Sequence, residues 1–268
     1  AINSAIAFAE QTGHRLQVIW EENIWLNCNY YRLFRPSPLF TVHSLKRQRN
    51  IFYNTSHAAV YGFPRRQIHG LLNQVMFSCA FFDNQGTSNV AAMGLTVEQI
   101  KKISDKKKVY ISTGHAFFPS PYRYEYFVPT EAIARMVNGF LEGKDKPTAG
   151  LHIRRTDHAA AIAESGDELF EAVVRKELER NPAATFFLAT DSPESEQNLK
   201  NRFGHAVYTH PKTWGRDSEQ GIIDAAVDLY LLSRCEKIYA SFQSSFSETA
   251  AVIGNIPIHV VKAGLTVS

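Results

Sequence analysis

The chain has 268 residues, 29 Lys and Arg against 26 Asp and Glu, and is 44% hydrophobic. That length predicts one large domain or two small ones, with enough buried surface to fold without disulfide or metal staples. The net charge of +3 excludes a dedicated nucleic-acid coat, and the composition excludes collagen, a disordered tail and a disulfide mini-protein.

The cysteines Cys28, Cys79 and Cys235 are scattered and form no CxxC, which argues against a disulfide framework or zinc ribbon and favours a reducing, cytoplasmic setting. Apolar runs fall well short of the roughly 20 residues that span a bilayer, and the start lacks a signal-peptide pattern. Ala1 opens directly into helix-like sequence, so a strand and a turn are expected ahead of it.

In chain order, 4–11 reads as a helix stopped by Gly13, and 15–20 (RLQVIW) as a buried strand. The aromatic stretch from 21 to 94 is broken by Pro36, Pro38, Gly62, Pro64 and Gly86 and yields no assignable element. Most of its rings are expected to pack a core, and its loops to carry acceptor contacts. A helix is expected over 96–104, a strand over 108–112, and an amphipathic helix over 129–141 with Pro129 in its first turn. Gly143-Lys-Asp-Lys-Pro147 has linker chemistry. It divides the chain into an N-terminal Rossmann-like half (1–145) and a C-terminal half (146–268).

Beyond that linker the rhythm is regular. Strands are expected over 149–154, 185–190, 206–209, 237–241 and 256–261, alternating with helices over 168–180, 193–203, 218–235 and 245–253. Strands that are nearly all apolar between amphipathic helices predict an α/β protein with a doubly wound parallel sheet. Such sheets bind ligands beyond the carboxyl ends of their strands.

The first of those ends carries His152-Ile-Arg154-Arg155-Thr156-Asp157-His158. A guanidinium matches a phosphate bidentately, with Asp157 as the carboxylate that holds an arginine in place; the alternative is a surface Arg–Asp cluster of little energetic weight. Arg155 either assists Arg154 or faces away, because neighbours on a strand point oppositely. His152 shares a face with Arg154 and reads more readily as a packing residue than as a catalyst. At the next end, 190–192 suffices to cap a helix starting at Pro193, and Asp191 borders the same crevice. In the apolar helix, Asp224 and Asp228 fall on one stripe and need partners. A single carboxylate accepts both N1–H and N2–H of guanine, so Asp228 either reads a base or lines a polar seam. Ser244-Ser245-Phe246-Ser247-Glu248 opens a helix after a strand. Ser245 and Glu248 have capping-box spacing, and such a start also suits a phosphate. His152, Asp157, His158 and Asp191 are weaker metal candidates, since the arginines repel a cation. His115 follows a strand and is a weaker candidate to face the cleft from the first half.

In order and rough spacing these runs resemble the fucosyltransferase superfamily of the alpha-1,6-, nodulation and protein O-fucosyltransferases. The resemblance rests on HIRRTD at 152–157, ATDSP at 189–193, VDLYLLS at 227–233 and SSFS at 244–247. It covers about 149–262, and the first motif looks most like the alpha-1,6 branch. Residues 3–10 and 15–20 are similar to the family's first helix and second strand. The resemblance implies a GT-B-like fold with two Rossmann-type halves facing a cleft. It further implies an inverting transfer of fucose from GDP-fucose to a glycan hydroxyl with no obligatory metal or other cofactor. Arg154 would contact the diphosphate and Asp228 the guanine; Ser244, Ser245 and Phe246 would line the pocket, supported by His152, Arg155, Asp157 and Asp191. For the catalytic base it points to Glu164, two residues beyond the position of the family's acid, with Asp157 and His158 as rivals. A non-catalytic nucleotide- or carbohydrate-binding relative and a metal-dependent phosphoester hydrolase are the alternative readings.

Overall fold

In a computed structural model, residues 1–46, 49, 71–72, 75–82, 98, 102, 104–113, 116–156 and 159–263 are described. The expected helix over 96–104 lies largely outside these residues, as do His115, Asp157 and His158. The chain forms two compact units: Ala1–Trp25, Asn29–Tyr31 and Arg35–Phe127 in one, and Leu26–Cys28, Arg32–Phe34 and Val128–Ser268 in the other.

In the first unit, α1 (Ile2–Thr12) ends where Gly13 turns left-handed at φ 69°, a conformation that glycine adopts without a Cβ clash. Its Phe8 packs edge-on against Phe117 and Phe118, and Ser4 Oγ donates to the Phe118 carbonyl. The strands β1 (Gln17–Glu22) and β2 (Thr41–Lys46) pair in parallel, as do β3 (Cys79–Phe82) and β4 (Val109–Ser112). The short helix α2 (Tyr30–Leu33) contributes Tyr30, whose ring meets Trp20 and Phe40. Among the described aromatic residues of 21–94, Tyr30 and Phe40 are core, whereas Trp25 and Tyr31 are exposed.

In the second unit, α3 (Glu131–Leu141) is capped by Thr130 and rests through Phe140 on Phe187 and Tyr208. The sheet that follows is built from β5 (Ala149–Ile153), β6 (Phe186–Thr190), β7 (Val207–Tyr208), β8 (Ile238–Ser241) and β9 (Ile258–Val261). All its pairings are parallel, in the order β7-β6-β5-β8-β9. Every residue of β5 and β6 is buried, which is why these strands read as unbroken apolar runs. One face packs Leu151, Phe186 and Leu188 against Phe170 and Val174 of α5 (Asp167–Arg180) and Leu199 of α6 (Pro193–Phe203). On the other, a Cβ at Gly150 would lie 2.7 Å from Leu232 of α7 (Glu219–Leu232), so glycine lets that helix lie against β5. The remaining helices are α4 (Ala159–Glu164) and α8 (Ser245–Gly254).

The expected α/β class with a doubly wound parallel sheet is thus present. Some boundaries move: the helix expected from Pro129 starts at Glu131 after the Thr130 cap, the last strand starts at Ile258, and the helix expected over 218–235 ends at Leu232, where Ser233 caps it and donates its hydroxyl to the Tyr230 carbonyl. Among the described residues, no helix is long and apolar enough to cross a membrane.

Candidate functional site

The strand order reverses direction between β5 and β8, and ligands of such sheets bind beyond the carboxyl ends at that switch point. The chain leaves β5 into Arg154 and leaves β8 into Phe242 and Gln243. These two exits are joined directly, since Arg154 N–H donates to Ser241 Oγ at 3.1 Å. Gln243 turns left-handed at φ 54°, an uncommon conformation for a residue with a side chain. The turn brings Ser244 to the N-cap of α8 one residue earlier than the spacing suggested.

The expected capping box of Ser245 and Glu248 is therefore not formed. Ser245 is the first helical residue and is exposed, and the N-cap Ser244 makes no capping bond with its side chain. Ser244 Oγ instead hydrogen-bonds with His152 Nδ1 at 3.2 Å, as does Ser247 Oγ. The imidazole stacks on Phe246 with ring centroids 4.9 Å apart. His152 is thus a packing residue inside the strand and at the same time the floor of the α8 N-terminus. Burial pushes its pKa down to about 3; Asp191 opposes this, and the positive charges of Arg154, Lys212 and Arg216 reinforce it. The ring is accordingly neutral, and three cationic side chains bring their charge to bear on it.

Arg155 faces away from that group. Its guanidinium binds Asp167 through Nε, at 2.9 Å, and Nη2, while Nη2 also donates to the Ser165 carbonyl at 2.7 Å. Asp167 in turn accepts from Ser195 Oγ at 2.8 Å. A carboxylate that holds an arginine here is Asp167; the expected Asp157 lies outside the described residues. Asp167 has the advantage of standing in the first turn of α5, where the helix dipole favours a negative charge. Asp191 accepts from Arg155 N–H at 2.7 Å and from Thr156 N–H and Oγ1 at 3.3 and 2.7 Å. It therefore clamps the loop that carries Arg154. Capping of α6 falls to Ser192, which accepts from Ser195 N–H at 3.2 Å. Glu164 is exposed at the end of α4. Its neighbour Ser165 is fully buried and donates to the Val261 carbonyl while accepting from Phe242 N–H.

A second group lies beside the end of β6. Asp228 is 4% exposed, and its Oδ2 accepts from Lys212 Nζ at 2.6 Å. Lys212 also donates to the carbonyl of Thr190, the last residue of β6, at 3.3 Å. Asp224 is satisfied separately, by Thr213 N–H at 2.7 Å and Gln220 Nε2 at 2.8 Å. Asp228 Oδ1 and His210 Nδ1 are both buried without a hydrogen-bond partner and lie 3.8 Å apart. Burial raises the Asp228 pKa to about 6 against the lowering effect of Lys212. The segment carrying Lys212 is seated on α7 by a close backbone approach: a Cβ at Gly221 would lie 2.0 Å from the Gly215 carbonyl oxygen. Lys212, Arg216, His210 and Asp167 were not foreseen. The segment after β7 was the available signal, since it leaves a strand's carboxyl end like the others.

Of the sequence-predicted residues, the structure brings His152, Ser244 and Phe246 into contact, with Arg154 and Asp191 acting on the same imidazole. Arg155 is turned into a structural tie. For the metal reading, His152 and Asp191 are committed to the partners above, and no group of three or more His, Cys, Asp or Glu side chains suited to a metal occurs among the described residues.

No family model matches the sequence, and no curated protein matches it. Solved structures do. The fucosyltransferase NodZ from Bradyrhizobium aligns at a TM-score of 0.61 and 16% identity, over 99% of this chain and 91% of that one. A NodZ alpha-1,6-fucosyltransferase soaked with GDP-fucose aligns at 0.56 and 17%, over 94% and 86%. POFUT1 in complex with GDP-fucose aligns at 0.55 and 12%, over 99% and 93%. This chain has a fucosyltransferase-type α/β fold.

Proposed function

We propose that the chain is a glycosyltransferase that moves fucose from GDP-fucose to a hydroxyl of a glycan, with inversion at the sugar carbon. The observation that carries this reading is the buried His152, on which the charges of Arg154, Lys212 and Arg216 all act, beside a ten-residue helix whose N-cap side chain does not cap it. Free N–H groups and the helix dipole favour an anion at that start, and guanidinium groups favour the oxygens of a diphosphate. The likeness to structures that hold GDP-fucose supports the same choice of donor.

In this reading Arg154 neutralises the charge that builds on the departing diphosphate, helped by the first turn of α8. Cationic side chains do this work, so the transfer runs without a metal. The open Oδ1 of Asp228 accepts from the guanine edge. Asp191 and Arg155 act through the loop they fix, and hold Arg154 in register. We assign the general base to Glu164, which stands next to the Ser165 that Arg155 and Phe242 anchor. We also place the protein in a reducing, cytoplasmic setting.

Calorimetry with GDP, UDP and ADP, followed by turnover of GDP-fucose with a chelator present, tests the proposal. GDP is expected to bind more tightly than the other two, and hydrolysis or transfer to persist with the chelator. Equal affinity for the three nucleotides would overturn it.

A further inference from the structure

Asp228 and Lys212 form a pair that does more than balance charge. Both side chains are almost fully buried, at 6% and 7% exposure. The other charged groups that bear on Asp228 are Asp224 from its own helix and Glu196 from α6, and both raise its pKa. Asp224 is held by Thr213 and Gln220, and Glu196 by Lys200 and Thr209. From the segment after β7 come Lys212 and His210, and burial together with the charge of Lys212 holds the His210 pKa low. Lys212 is thus the group that favours the Asp228 anion against burial and two carboxylates.

Its geometry is as specific as its charge. A lysine is a compact point donor, whereas an arginine fork covers both oxygens of a carboxylate. Lys212 takes Oδ2 only and leaves Oδ1 without a partner. A buried acceptor with no donor is costly, and a ligand N–H relieves that cost. A protonated carboxyl would present an O–H at the same place, and an edge such as that of adenine, with an acceptor at N1, would then fit.

We infer that Lys212 is the positioning residue that sets base specificity: it keeps Asp228 an acceptor-only group with one oxygen unpartnered, so that the site takes a purine edge with two adjacent N–H donors. This deepens the GDP-fucose reading and rests on it.

The test uses the whole chain, with aspartate carboxyl carbons labelled for NMR titration, alongside calorimetry with GDP, IDP and ADP. IDP keeps N1–H but lacks the 2-amino group. In wild type, GDP is expected to bind about tenfold or more tightly than IDP, and its affinity to fall as pH drops through the Asp228 pKa near 6. In Lys212→Met the Asp228 carboxyl is expected to titrate above 7. GDP affinity at pH 7 then falls about tenfold or more, recovers at higher pH, and the preference over IDP and ADP shrinks. An Asp228 titration that Lys212→Met leaves unmoved overturns the inference. So does a wild-type GDP affinity that does not change between pH 5 and 8, a result independent of whether the variant folds. Wild type with the expected carboxyl titration but no preference among the nucleotides overturns the nucleotide reading instead.

Discussion

The two edges of the five-stranded sheet each bury a carboxylate paired with a lysine, and the pairs behave in opposite ways. At the amino edge, Glu177 of α5 accepts from Lys237 Nζ at 2.7 Å and from Tyr239 Oη at 2.5 Å, with Arg180 4.0 Å away. Burial works to raise its pKa, but these hydrogen bonds and charges win and the pKa is lowered. At the carboxyl edge, Asp228 has one lysine and one open oxygen, and burial wins. A fully satisfied pair is what structure alone requires. A pair left one bond short is the one that the proposed nucleotide would complete.

That contrast can be broken experimentally. The largest effect is expected for Arg154→Ala, which should lower turnover of GDP-fucose by about a hundred- to a thousandfold and weaken GDP in calorimetry, with the melting temperature nearly unchanged. Wild-type GDP affinity in this variant would remove the carboxyl edge from the chemistry. The matching change at the amino edge, Lys237→Met, should cost about 1–3 kcal/mol of stability in denaturant unfolding while leaving the GDP dissociation constant as it was. A weakened GDP affinity there would show that the edges are not separable.

His152 sharpens the comparison through pH. Its unfolded pKa is 6.5 and its folded pKa about 3, so below pH 6.5 the unfolded chain binds the proton that the folded chain refuses. Stability from this group is present above 6.5 and is lost as pH falls toward 3, at about 1.4 kcal/mol per pH unit. His152→Asn should flatten that acid limb in urea unfolding between pH 6 and 4; an unchanged slope would mean that the imidazole is not buried neutral. The smallest effect is expected for Ser244→Ala. One hydrogen bond to the imidazole is lost, worth about 1 kcal/mol, with a similar loss in GDP affinity from the altered α8 start.

Much of the second unit was legible because its signals are local. Apolar runs between amphipathic segments gave the strands, and Ser192 with Pro193 gave the start of α6. Strand alternation put Arg154 and Arg155 on different faces, though it left open which of them is tied to the fold; that one is Arg155. What was hidden depends on contacts across the fold. Lys212 reaches Asp228 only because Gly221 lets its segment settle on α7. Asp167 meets the Arg155 guanidinium from the first turn of α5, a contact that spacing along the chain does not show. The cap at Ser244 follows from a left-handed Gln243, which spacing cannot show. In the first unit, aromatic core packing and loop chemistry use the same residues, and sequence does not separate them.

The central claim is that the carboxyl edge of this sheet holds a guanine nucleoside diphosphate. A crystal structure of the chain with GDP tests it most directly. The account predicts phosphate oxygens within hydrogen-bond distance of the Arg154 guanidinium and of N–H groups in the first turn of α8, with the purine edge on Asp228 Oδ1. GDP bound elsewhere, with Asp228 Oδ1 still unpartnered, would contradict it.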